Sequence, residues 1–466
     1  MKLSLTSLLE VEHKLNEISF LDVRLGGPCA GFLYPNIFYK EYEPSFSGLI
    51  RNSLLNFREK FAPAKNISPY TLPTNAKYLI FNISSSTLKN LEFFTKIYDL
   101  FADYSCIIIS KEKKPFLIGK NDIYLTNELL TRSQHEFWIF EYKKIQNKIR
   151  EVLVYLKNKF DLPLSFLEEL KFMITLQTKN IVFFFDLLKK NKPSAIITDH
   201  DRHGINSSLA LTGNALNVPT FTFIHGSTFP ADHYYPLLSK YMICWGEMHK
   251  TQFRELGIED DRLIVCGNQK LYREVGPDTK EIKARFGISE REKVALLITN
   301  PIDIEERLQY VRDFCYSIYQ VKQFKGVIRI HPSEEINDYK NISEEYPDII
   351  FTDNYSLSFD ESMTLADHII NHNSVFGFEA LIKKKDVIVY APDYISFPLG
   401  IGKELCEKAG CILLKDASGL VAHFKYLKDH EKKINTQAEE YIKSYIYAFG
   451  EDAAKNIYKE VINRIN

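Results

Sequence analysis

The sequence predicts an α/β protein of two Rossmann-like domains facing each other across a cleft, with a helical insertion in the first domain. Three observations lead there. Short apolar runs alternate with helical periodicity along most of the chain, the pattern of βα units closing a parallel sheet. Several runs stop abruptly in polar residues, as strands do where their carboxyl ends border a ligand crevice. The 466 residues suffice for roughly two to three domains, and a charged stretch with Gly276-Pro277 separates two series of runs.

Residues 1 to about 70 read as mixed and loop-rich, with Gly26-Gly27-Pro28-Cys29-Ala30-Gly31 as a turn cluster. The first strand is Tyr78 to Ile83, followed by the polar loop Ser84-Ser85-Ser86-Thr87 and a helix from Leu88; Cys106 to Ser110 is the second strand. From about Ser133 to Lys190 the period is helical, which makes this stretch the insertion. A strand at Ser194–Thr198, a helix at Ile205–Leu216 and a strand at Pro219–Ile224 form a βαβ unit. Strands at Tyr241–Cys244 and Leu263–Cys266 flank a helix through Met248–Leu256. The second series has strands at Val294–Thr299, Gly326–Ile330, Ile349–Phe351, His368–Ile370, Val387–Tyr390 and Cys411–Leu414. Ala422 to Ile465 is helical. The expected division is an acceptor-binding domain over residues 1–270, a nucleotide-binding domain over 278–430, and a terminal helix over 431–466 returning to the first.

Bulk properties narrow the function. Hydrophobic residues at 45% and charged residues at 26% fit a folded globular chain, and 33 Phe with 27 Tyr can fill large cores. With 59 Lys and Arg against 60 Asp and Glu, there is no global electrostatic case for nucleic acid. Seven scattered cysteines without CxxC pairing point to reduced thiols and no structural zinc. The apolar stretch within Met1–Glu10 is too short for a signal peptide, and no run reaches membrane-spanning length. The expected location is the cytoplasm or the inner face of the plasma membrane. The basic stretch Tyr142–Lys159 reads as an outer helix face, with peripheral contact to anionic lipid as the alternative.

Two strand ends carry the main chemistry. His331 follows an apolar run, and Pro332 fixes the turn, leaving the imidazole and the Ser333 and Glu334 amides to face a phosphate. The plain alternative is a histidine that only ties down its loop. In Asn371-His372-Asn373-Ser374 a helix starts near Val375, so Ser374 and the first-turn amides suit an anion, Gly377 permits close approach, and Glu379 suits a ribose hydroxyl. Here the alternative is an ordinary N-cap and a dipole-favoured carboxylate. The exit Tyr390-Ala391-Pro392-Asp393 is expected at the same edge. In the first domain, Asp199-His200-Asp201-Arg202-His203-Gly204 offers Asp199 or Asp201 as a general base, with His200, Arg202 and His203 toward an acceptor. His225, before Gly226, is a third catalytic candidate.

In order, Ile196-Ile197-Thr198-Asp199, Val218-Pro219 to His225-Gly226, Cys244-Trp245-Gly246-Glu247, Val265-Cys266-Gly267-Asn268, Arg329-Ile330-His331-Pro332 and Asn373-Ser374 to Glu379-Ala380-Leu381 resemble bacterial GT-B glycosyltransferases of surface polysaccharide synthesis. The resemblance spans about residues 190–395. The His-Pro pair and later serine look like the donor motifs of enzymes using cytidine nucleotides: sialyl- and Kdo-transferases and teichoic-acid glycerophosphotransferases. That implies donor contacts from His331, Pro332, Ser333, Glu334, Asn373, Ser374, Gly377 and Glu379. It also implies a CMP-linked sugar as co-substrate with no resident cofactor or metal, and a glycan or glycolipid acceptor. CDP-glycerol transfer, and transfer or epimerisation of a UDP-sugar, are the alternatives.

Overall fold

The computed structural model describes residues 5–33, 77–82, 97, 99–101, 103–109, 123–125, 130–202, 205–224, 234–269, 271, 278–393, 395, 400–429 and 435–465. The expected loop at Ser84–Thr87, the helix from Leu88, the Gly276-Pro277 crossing, His203 and His225 lie outside these residues.

The chain begins with α1 (Leu5–Leu15), an antiparallel pair β1 (Ser19–Phe20) and β2 (Val23–Arg24), and α2 (Gly26–Leu33). The expected glycine-rich turn is therefore a helix. Packing overrides the turn propensity of this segment: a Cβ at Gly26 would collide with the Glu12 carbonyl, and one at Gly27 would lie 2.8 Å from a Leu211 methyl. Small residues let α2 press against its neighbours, and the buried contacts outweigh the entropic cost of glycine.

Then come β3 (Tyr78–Asn82), β4 (Ser105–Ile109), β5 (Ile123–Leu125), α3 (Arg132–Phe160), α4 (Leu164–Asn191), β6 (Ala195–Thr198), α5 (Ile205–Ala215), β7 (Thr220–Phe223), β8 (Tyr241–Cys244), α6 (Glu247–Glu255) and β9 (Leu263–Val265). The strands form one parallel sheet in the order β5-β4-β3-β6-β7-β8-β9. Three-residue β5 gave no readable signal. The helical insertion is a hairpin. Thr131 and Gln134 form a capping box at the start of α3, Asp161 ends it in the left-handed conformation, and Pro163 caps α4. Buried Trp138 and Tyr142 hold the two helices through hydrogen bonds to Thr178 at 3.0 Å and Thr175 at 3.1 Å. No helix among the described residues is long and apolar enough to cross a membrane.

The second series comprises α7 (Thr279–Arg285), β10 (Lys293–Ile298), α8 (Ile304–Val321), β11 (Phe324–Arg329), α9 (Lys340–Glu345), β12 (Ile350–Thr352), α10 (Phe359–Leu365), β13 (His368–Asn371), α11 (Val375–Ile382), β14 (Asp386–Tyr390), α12 (Gly400–Glu407), β15 (Ile412–Leu414) and α13 (Ala417–Asp429). Its six strands are parallel in the order β12-β11-β10-β13-β14-β15. Strands β6, β10, β13 and β14 are apolar, almost wholly buried runs, because helices cover both faces there. The two-domain α/β architecture expected from the sequence is the one observed.

Two last helices, α14 (Thr436–Tyr445) and α15 (Gly450–Ile465), tie the halves together. Tyr441 and Tyr445 of α14 share one core with Trp245 of the first half and Phe378 of the second. Ile457 and Val461 of α15 pack with Leu79, Ile197 and Phe221 of the first sheet. Between these helices the backbone runs along the end of the first sheet. The Tyr447 amide donates to Trp245 O at 2.8 Å, and the Asn268 amide donates to Ala448 O at 2.9 Å.

Burial pushes the Cys315 and Cys411 thiols up to about 12, so both pack as neutral groups.

Gly267 has φ of +100°, and a Cβ there would strike the Ala448 carbonyl. Gly267→Ala should therefore lower stability by about 2 kcal/mol by straining this seam. Urea unfolding checks it, and a midpoint equal to wild type would contradict the packing described.

Candidate active site

Each sheet has one topological switch point, where successive connections leave in opposite directions. In the second sheet it lies between β10 and β13, and in the first between β3 and β6. Ligand crevices form at the carboxyl ends of such strand pairs. The residues following β10, β11, β13 and β14 meet at that edge: Thr299 and Asn300, His331, His372 to Ser374, and Ala391.

His331 is oriented by its own turn and by β10. Its amide donates to Thr299 Oγ1 at 2.8 Å, and its Nδ1 accepts the Ser333 amide at 3.2 Å, with Ser333 Oγ at 2.7 Å. Because the amide can only donate, the ring proton of neutral His331 sits on Nε2, which is left as a donor. Burial holds its pKa below the ordinary imidazole range, with the Arg329 and Arg307 charges acting the same way and Glu334 opposing. The neutral form persists on acidification after the unfolded chain has taken up its proton, so this group costs stability as pH falls through the usual histidine range.

The turn corrects one expectation. The Ser333 and Glu334 amides are not free for a ligand, since the first bonds His331 Nδ1 and the second bonds His331 O at 2.9 Å. The Glu334 side chain is fully buried. Its Oε2 accepts from Thr299 Oγ1 and from the Tyr339 hydroxyl, both at 2.6 Å, and its Oε1 lies 3.8 Å from Arg307. Burial and this carboxylate hold the Tyr339 phenol well above its ordinary range. Glu334 thus positions Thr299, and through it the His331 backbone. Pro332 and Ser333 lie exposed on the turn.

At the switch point the protein leaves polar valences unsatisfied. Asn300 Nδ2 after β10, Asn371 Oδ1 at the end of β13 and His372 Nε2 are all buried without a hydrogen-bond partner. The His372 Nδ1 faces the Tyr390 carbonyl at 3.2 Å and must donate to it, so its Nε2 is a bare acceptor. Burial lowers the His372 pKa and keeps the ring neutral. Buried polar atoms are seldom left unpaired. One donor and two acceptors at one strand edge suit a polar ligand or a bridging water.

Ser374 caps α11: its Oγ accepts the Phe376 amide at 3.3 Å, and its carbonyl accepts the Gly377 amide at 3.1 Å. Its Oγ is therefore engaged as an acceptor within the cap, and its O–H is not used there. Asn373 Oδ1 accepts the Ile401 amide at 2.7 Å and so fixes the start of α12. Gly377 does allow close approach, but the approaching group is Asn371, whose Nδ2 would lie 2.6 Å from an added Cβ. Arg329, which stood in the His331 motif without a role of its own, joins the two loops. It is buried at the end of β11, bonds Asn354, and lies 5.7 Å over the Phe376 ring in the first turn of α11. Burial lowers its pKa while the charge of Glu379 opposes the shift, which places Glu379 in its field.

At the first sheet's switch point the charged loop is buried. Asp199 accepts from Asn206 Nδ2 at 3.1 Å. Asp201 Oδ2 accepts the Leu238 and Ser239 amides at 3.0 and 2.6 Å. Arg202 donates to Pro236 O at 2.9 Å and pairs with buried Glu12 at 3.4 Å. His200 repeats the geometry of His331: its Nδ1 accepts the amide two residues on, here Arg202 at 3.0 Å, leaving Nε2 to carry the proton. Asp201 and Arg202, read from sequence as cleft-facing, are placed as ties that fasten the 236–239 loop and α1. Among the described residues no group of three His, Cys, Asp or Glu side chains is arranged to hold a metal.

Burial raises the Asp201 pKa, against the pull of Ser239, Arg202 and Leu238. A raised folded value means that its ionised form costs stability at neutral pH, and that the cost fades as pH falls through the carboxylate range. Asp201→Asn keeps an acceptor for both amides, so it should be at least as stable as wild type at neutral pH and lose that advantage in acid. Asp201→Ala should cost about 2 kcal/mol or more by orphaning both amides. Urea unfolding across pH measures both, and a less stable Asn variant at neutral pH would contradict the assignment.

No protein-family model and no curated protein sequence matches the chain. Solved structures do share its fold. A UDP-GlcNAc 2-epimerase from Neisseria meningitidis, bound to UDP-GlcNAc, superposes with a TM-score of 0.53 at 14% identity, covering 83% of this chain and 100% of that one. S. aureus MnaA with UDP gives 0.50 at 11% identity, covering 84% and 97%. The wall teichoic acid polymerase TagF gives 0.49 at 12%, covering 91% and 98%. The first two likenesses establish the architecture, a two-domain α/β fold.

Proposed function

We propose that the chain is a glycosyltransferase that moves a sugar from a nucleotide donor, held by the second domain, onto a glycan or glycolipid acceptor bound by the first. The observation that carries this is the carboxyl edge of the second sheet. A neutral imidazole presents Nε2–H beside a switch point with an unpaired amide donor and two unpaired acceptors. Donors suit phosphate oxygens and acceptors suit ribose or base groups, so the set fits a nucleotide. The preferred donor is CMP-linked Kdo or sialic acid, with CDP-glycerol as the nearest variant.

His331 would donate to the leaving phosphate, and α11 would add the positive end of its dipole through Ser374 and the first turn. Glu379 would serve the ribose. These fixed dipoles would stabilise the departing nucleotide without a resident cofactor. Asp201 is committed to its two amides, so the base that takes the acceptor proton is assigned to Asp199 or His225, with His200 and His203 on the acceptor. Attachment at the inner face of the plasma membrane would bring a lipid-linked acceptor to the first domain.

A second reading has support in the fold shared with the Neisseria epimerase. An epimerase needs a UDP-sugar and no acceptor.

Ligands that bind only the folded state raise its stability, by about 2.7 kcal/mol at a hundred times Kd. CMP or CDP should therefore raise the melting temperature of the wild type and not of His331→Ala. Stabilisation by UDP alone would replace the cytidine donor, and conversion of UDP-GlcNAc without acceptor would then identify an epimerase. No response to CMP, CDP or UDP would reject the nucleotide site.

A further inference from the structure

The exposed flank of the α3–α4 hairpin has no part in the nucleotide site, yet it is built unlike an ordinary solvated helix face. Helix α3 carries seven basic and three acidic side chains in a chain of net charge −1. Most of the basic groups are neutralised locally. Lys144 pairs with Glu141, Lys148 with Glu17 and Glu151, Lys159 with Glu10, and Arg132 with Glu136. Three remain: Lys143, Arg150 and Lys157 are exposed and have no ion pair among the described residues. Their spacing of seven residues puts them in one stripe, about 21 Å long at 1.5 Å per residue.

Large apolar side chains stand beside that stripe. Phe140 is 61% exposed and Val154 52% on α3, and Leu164 is 58% exposed at the start of α4. Val154 and Leu164 line a groove of about 420 Å³ between the helices together with Ile149, Leu153, Arg150 and Lys157, and its one carboxylate, Glu168, is paired with Lys171 at 3.2 Å. Cations unpaired by the protein therefore border an apolar trough and its projecting side chains.

We infer that this flank docks on an anionic lipid bilayer, with the lysine and arginine heads on lipid phosphates and Phe140, Val154 and Leu164 in the acyl boundary. Charge complementarity selects this occupant. The stripe is a local positive excess on a nearly neutral protein, and cations interleaved with projecting apolar groups match an interface that is anionic outside and apolar a few ångströms in. Long basic side chains suit it because their stems lie along apolar surface while their heads reach the phosphates. The inference gives a surface to the membrane attachment proposed above and does not rest on the transferase reading, since docking needs no nucleotide.

Cosedimentation of the full chain with vesicles tests it. Wild type should pellet with phosphatidylglycerol–phosphatidylcholine vesicles and stay in solution with phosphatidylcholine alone, and added salt should weaken the binding. Each cation near an anionic surface contributes roughly fivefold, so the triple variant Lys143→Gln, Arg150→Gln, Lys157→Gln should lower partitioning on the order of 100-fold. Phe140→Ser with Leu164→Ser should lower it as well. A control that removes three exposed cations elsewhere, Lys425→Gln, Lys455→Gln and Lys459→Gln, should bind as wild type does. Thermal unfolding and the nucleotide-induced shift of each variant, measured alongside, separate failure of this inference from misfolding and from failure of the nucleotide reading. Wild type left in solution with both vesicles would overturn the inference. So would a control as impaired as the triple variant, or a Phe140→Ser, Leu164→Ser protein that binds fully.

Discussion

The carboxyl edges of the two parallel sheets are held in a fixed relation by the helices α14 and α15. Helix α14 packs its tyrosines between Trp245 of the first half and Phe378 of the second. The backbone that follows is bonded to the end of the first sheet through Tyr447, Ala448 and Gly450. Helix α15 then completes the core of the first sheet. Buried aromatic contact supplies the attraction, and the backbone bonds set the register, because an amide displaced from its carbonyl inside a core would be left unpaired.

Within that frame, polar residues at the strand ends divide by what they bond. Glu334 through Oε2, Asp201 through Oδ2, Arg202 through its guanidinium and Asn373 through Oδ1 each connect segments distant in sequence. A carboxylate that already accepts two hydrogen bonds in a buried site is a poor base, since protonating it disrupts the loop that it holds. His331 and His372 differ: each ring has one nitrogen fixed by a local bond, while the other is presented at the edge or left bare. These histidines, with Asn300 and Asn371, are where the second sheet has bonding capacity to offer a ligand.

Much of this architecture was legible from residue order. The buried strands are apolar runs whose limits fall within a residue or two of the observed ones, because a parallel strand covered on both faces admits little else. The helical stretch before Ser194 was legible from its period, though its division at Asp161 to Pro163 was read only from the structure. The failures share a cause. Gly26 to Gly31 has the composition of a turn and forms a helix whose first two residues are packed too closely for side chains, Gly26 against Glu12 and Gly27 against the distant Leu211. Strand β5 is too short to carry a pattern and exists through pairing with β4.

For the site, the sequence determined which residue types stand at the strand ends, because apolar runs fix where strands stop and polar residues begin. It thereby determined the two-domain α/β fold and the candidacy of His331, Ser374 and the loop from Asp199. Tertiary structure alone decided which of their atoms remain available. The deciding partners are remote: Thr299 bonds the His331 amide across 32 residues, the Ser239 amide reaches Asp201 across 38, and Glu12 meets Arg202 across 190. A side chain's chemistry is written in its identity, but whether it is free to act depends on hydrogen bonds closed by folding.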